Sequence, residues 1–200
     1  MIPQLRGNEQ YKYLGTEMQT GGKDGGCHRA TRAKVVRKCR QIIGVIGRIP
    51  LLSGQRMDKA MSLALQGIIG YYGRSTVITW ADCVEIEKAR VAALRQRGYD
   101  VGAPRLQVYE RPAAGGMGHE HAYAYASAAV FDQFDRALSG RDGETARRAV
   151  HDAIAVTCAR LGCREEDPLE WQPQHLRAEL RDELLVEAWL RVKLEMNLRG

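Results

Sequence analysis

The chain has 200 residues, 44% hydrophobic and only 6% aromatic, enough for one domain or two small ones built on an aliphatic core. Its net charge of +6 is uneven: residues 1–56 carry 11 Lys or Arg against 3 acids, 57–118 carry 8 against 6, and 119–200 carry 11 against 15. No apolar run approaches the roughly 20 residues of a membrane span, no signal-peptide pattern opens the chain, and 5 scattered cysteines form no paired framework. These features predict a reduced intracellular protein, nuclear or cytoplasmic, whose first quarter is the natural docking face for a polyanion.

In chain order, Tyr11, Tyr13 and Leu14 suit an extended segment, and Gly15 allows a turn. The glycine-rich stretch 20–26 reads as a loop. From Ala30 to Gly44, Val35, Cys39, Ile42, Ile43 and Ile46 recur at helical spacing. The cations Arg29, Arg32, Lys34, Arg37, Lys38 and Arg40 fall largely off that stripe. No acid lies between Asp24 and Asp58, so nothing within the helix offsets their mutual repulsion. Arg48 and Arg56 continue the basic run past the break at Gly47–Pro50.

A second helix is expected from Ser53, its N-cap, to Tyr72, with Met57, Met61, Ala64, Leu65, Ile68 and Tyr72 inward. A third is marked by a Thr79–Asp82 capping box and by Gly98 beyond its end, with Cys83, Ile86, Arg90 and Ala93 or Leu94 on one face. Residues 99–118 are irregular, and Gly115, Gly116 and Gly118 read as a hinge. Three further amphipathic stretches follow, His119–Leu138, Glu144–Leu161 and Gln174–Leu198. The expected fold is therefore mainly α, a helical bundle preceded by a short β-hairpin and followed by amphipathic helices. Its parts are 1–26, 27–98, 99–118 and 119–200.

Taken in order, three motifs carry a resemblance. YKYLG at 11–15 is similar to the primer-grip box of reverse transcriptases from non-LTR, LINE-like retrotransposons. The basic helix, GRIPLL at 47–52 and the helix ending in YYGR at 71–74 resemble that family's helical thumb. ERPAAGGMG at 110–118 is similar to its GGLG box, with Met117 in place of leucine. The resemblance implies a primer-grip element at Tyr11, Tyr13, Leu14 and Gly15, and a thumb-like domain holding template–primer duplex.

It also implies what is missing. The family's catalytic Asp-Asp pair lies upstream of the primer grip, and this sequence has no counterpart; Asp132 and Asp135 of FDQFD come after the GGLG-like box. The chain thus reads as a fragment of an RNA-directed DNA polymerase, without activity of its own, and the Mg2+ of that reaction would belong to the palm. No cofactor is expected in this chain.

No metal site is expected either. HEH at 119–121 and Cys158–Cys163 lack zinc-ligand spacing. No nucleophile is paired with a base. The predicted nucleic-acid contacts are Arg29, Arg32, Lys34, Arg37, Lys38, Arg40, Arg48 and Arg56, all to phosphates, which position a duplex without reading its sequence. The alternative is a helical protein-interaction module, with the basic face on one side and the acidic amphipathic helix 174–198 meeting a partner through Leu176, Leu180, Leu184, Ala188 and Val192.

Overall fold

Apolar residues at i, i+4 spacing build the centre of the first unit. The computed structural model describes residues 10–13, 16–19, 26–98, 109, 113, 118–162 and 185–197. The chain divides into two units, 1–126 and 127–200. Unit 1 holds a two-stranded ribbon and three long helices: β1 (Gln10–Tyr13), β2 (Thr16–Gln19), α1 (Gly26–Gly47), α2 (Gly54–Gly73) and α3 (Trp80–Arg95). The strands pair antiparallel, Gln10 opposite Gln19 and Tyr13 opposite Thr16, and β2 runs beside α1. Leu14 and Gly15 of the primer-grip-like box lie outside the described residues, as do Gly115 and Gly116 of the expected hinge. Gly118, its third residue, has a left-handed φ of 65°.

Val35, Cys39, Ile43 and Ile46 of α1 are buried against Met57, Met61, Leu65, Ile69 and Tyr72 of α2 and Cys83, Ile86 and Leu94 of α3. Each large aliphatic side chain here contributes on the order of 1.5–3 kcal/mol by leaving water. Helix α1 extends beyond the expected Ala30–Gly44 at both ends. In α2 the fully buried isoleucine is Ile69, with Ile68 only partly covered, because the inward line steps by four from Met57. Ser53 caps α2 by accepting from the Arg56 amide. At α3, Thr79 and Asp82 form a reciprocal capping box, each side chain accepting from the other's backbone amide.

The helix expected from His119 starts instead at Ala122. This helix, α4 (Ala122–Leu138), is followed by α5 (Glu144–Leu161) and α6 (Leu185–Asn197). The start is delayed because the carboxylate of Glu87, on α3, takes the Ala122 amide at 2.8 Å while His119 is drawn into the interior. His121 becomes the residue ahead of the helix, its Nδ1 accepting from the Tyr123 amide at 3.1 Å.

In unit 2, Trp189 of α6 stacks on Phe134 with centroids 4.4 Å apart, and Val186, Leu190 and Val192 are buried beside it. Buried Glu187 meets Arg160 of α5 at 2.7 Å. Helix α5 ends at Gly162 in the left-handed conformation that favours glycine. Among the described residues no helix is long and apolar enough to cross a membrane.

Candidate nucleic-acid interface

The basic helix α1 has one half-cylinder in the core, which decides where its cations go. At about 100° per residue, Thr31, Val35, Cys39, Ile43 and Ile46 occupy the inner arc. Arg29, Lys34, Arg37, Lys38 and Arg40 fall on the outer half; Arg29, Arg37, Lys38 and Arg40 are exposed and Lys34 is half-buried. Arg32 differs. It lies at the edge of the inner arc, 9% exposed, with its Nε 3.4 Å from Asp82 Oδ2 of α3. Five of the six predicted cations thus share a face, and the sixth is a strut between helices. Arg48 and Arg56 are exposed where α1 turns into α2.

Cross-helix contacts set the directions of the bundle. Arg32 meets Asp82 near the starts of α1 and α3, and Gly47 lies against Ala93 near their ends, so these two helices run parallel. Lys38 donates to the Tyr72 hydroxyl at 2.7 Å, while Gly47 neighbours Met61, so α2 runs the other way. Lys34 and Lys38 lie 5.9 and 5.0 Å from the Tyr72 ring centroid, a cation–π arrangement that restrains both side chains. On the opposite flank, Arg37 and Arg40 line a shallow groove with Gln41, Asp82 and Glu85.

Behind this face lies a buried charge cluster that links α2, α3 and the segment leading into α4. Arg90 of α3 is fully buried. Its guanidinium donates to Asp58 Oδ1 at 2.9 Å and to the Glu120 carbonyl at 2.7 Å, and also reaches Ser62 and Glu87. His119 sits between two carboxylates, its Nδ1 3.0 Å from Asp58 and its Nε2 3.0 Å from Glu87. The Arg90 guanidinium and the His119 ring face both carboxylates, so each buried charge has a partner, as it must if it is to stay ionised.

Burial pushes the Asp58 and Glu87 carboxyls up, but the His119 hydrogen bond and the Arg90 charge outweigh it and hold both below their ordinary range. For His119, burial pulls down while hydrogen bonds to Asp58 and Glu87 pull up; the net direction is upward. Burial lowers His121, in keeping with Nδ1 acting as an acceptor. Among the described residues no group of three or more His, Cys, Asp or Glu is placed to hold a metal ion.

The sequence reading put Arg90 on the inner face of α3 but missed the cluster. Asp58, Glu87 and His119 are about 30 residues apart in sequence, and no local pattern joins them. The one available signal was an arginine on an otherwise apolar stripe, which demands buried partners. No family model, no curated protein and no solved structure matches this chain.

Proposed function

We propose that unit 1 holds nucleic-acid duplex by its phosphates along the outer face of α1, as the thumb-like part of a non-LTR retrotransposon reverse transcriptase would. The observation that carries this reading is the cationic outer half of α1, where Arg29, Lys34, Arg37, Lys38 and Arg40 spread over 11 helical steps with no acid of their own helix among them. A polyanion relieves their repulsion, and cross-linked helices behind the face keep it in shape. What supports the thumb-like part of the reading is the basic helix α1 with α2 and α3 packed against its inner face.

Polymerisation is not assigned to this chain, because the carboxylate pair that would hold two metal ions has no counterpart in its sequence. The protein-interaction alternative is less supported. It relied on an apolar face formed by Leu176, Leu180, Leu184, Ala188 and Val192; the first three lie outside the described residues, and Ala188 and Val192 are buried.

The test is anisotropy binding of the full chain to a labelled RNA–DNA primer–template across a salt series. The parent should bind with a steep salt dependence. Arg29→Gln, Arg37→Gln and Arg40→Gln combined should flatten the log–log slope by about 2.7, at 0.9 per phosphate contact on B-DNA. Arg32→Gln should lower the melting temperature and leave the slope nearly unchanged. Absent binding at low salt, from a chain folded by circular dichroism, would refute the reading.

A further inference from the structure

The end of the bundle where α1 and α3 begin carries an aromatic arrangement that the phosphate-binding face does not account for. Trp80, the first residue of α3, stacks on His121 with ring centroids 5.1 Å apart and planes 10° from parallel. Tyr123 packs edge-on against it at 5.0 Å. Tyr109 leans on His119 and His121 from the side, at 5.4 and 5.8 Å. Trp80 is therefore held in one orientation, yet 49% of it is exposed. Tryptophan is highly buried on average, so a ring packed on two neighbours with half of its surface still wet is a surface kept available.

The basic helix α1 begins at this end. Because α1 and α3 run parallel, Arg29 and Lys34 stand at the same end as Trp80, and the connection from Arg74 to Thr79 delivers the chain there from α2. The nearby acids are already engaged. The Asp82 carboxylate accepts from the Thr79 amide and hydroxyl and faces Arg32, and the Glu120 carboxylate accepts from the Tyr125 hydroxyl at 2.7 Å. A flat, half-exposed ring at the end of the bundle where the basic helix α1 starts suits a flat ring carried on a phosphate chain. Every nucleobase offers a π-face, so such stacking tolerates any sequence.

We propose that Trp80, backed by His121, is a stacking platform for an unpaired nucleobase adjoining a duplex held on α1. This rests on the reading of α1 as a phosphate-binding face, and it adds a preference that phosphate contacts cannot generate. Phosphate contacts treat a blunt duplex and an overhanging one alike, whereas a stacking platform discriminates.

The experiment compares binding of the full chain to a blunt DNA duplex and to the same duplex with a short single-stranded overhang, at one salt concentration. The parent should favour the overhang by about tenfold, the scale of one base–aromatic stack. Trp80→Leu should remove that ratio, and Trp80→Phe should retain most of it. Equal affinity for both duplexes in the parent, or an unchanged ratio in Trp80→Leu, would overturn the platform while leaving the α1 reading intact. If neither duplex binds, both readings fall together.

Discussion

Replacing Arg90 with methionine keeps the volume and removes the charge at the centre of unit 1. The parent guanidinium, fully buried, bonds Asp58, the Glu120 carbonyl, Ser62 and Glu87. Arg90→Met would leave Asp58 and Glu87, two carboxylates, with His119 as their remaining side-chain partner in the cluster, and would strip the Glu120 carbonyl of its donor. Losing one partner from a buried ionic group costs about 3–5 kcal/mol, far more than an exposed pair such as Glu85–Lys88 contributes. For a unit of this size that corresponds to a fall in melting temperature of roughly 10–20 °C. Calorimetry and urea unfolding followed by circular dichroism measure it.

A second variant isolates the cause. Asp58→Leu, Glu87→Met and His119→Leu added to Arg90→Met remove every charge of the cluster at once. That quadruple variant should recover a large part of the loss, because the single change destabilises by stranding charge rather than by emptying space. Full recovery is not expected, since the Ala122 amide loses its acceptor. The reasoning is refuted if Arg90→Met lies within about 1 kcal/mol of the parent, below the range for a broken buried pair. It is refuted equally if the quadruple variant is as unstable as the single one.

The same cluster sets a pH dependence. His119, raised above its ordinary value of 6.5, contributes stability that is complete below pH 6.5 and is lost as pH rises through its folded value. Asp58 and Glu87, lowered from 3.8 and 4.5, contribute stability present above those values and lost as pH falls through their folded ones. The cluster therefore stabilises most between about pH 4.5 and 6.5; a pH series of melting curves should show an alkaline decline that His119→Gln abolishes. A separate prediction concerns the turn between α1 and α2, where Leu51 is fully exposed at a left-handed φ of 62°. Leu51→Gly should stabilise the chain by about 1 kcal/mol, by relieving the contact between Cβ and the carbonyl. An unchanged or lower urea midpoint would show that this turn is not strained.

Local and periodic signals settled much of this protein before any tertiary contact was known. The spacing of Val35, Cys39 and Ile43, the Ser53 cap, the Thr79–Asp82 box and the Glu144–Leu161 helix were all legible, because each depends on residues within a turn or two. The cationic outer face of α1 was legible too, since burying one stripe forces the remaining side chains outward. Tertiary structure decided which cation was the exception. Arg32 leaves that face for Asp82, 50 residues on in a helix that happens to lie parallel. It also decided that Arg90, Asp58, Glu87 and His119 form one buried cluster, that this cluster delays α4 to Ala122, and that Trp80 rests on His121. Each of those outcomes requires groups from separate segments of the chain within about 3 Å for the polar pairs and 5 Å for the rings. Neither propensity nor periodicity along one helix carries that information, because it belongs to how the helices are set against each other.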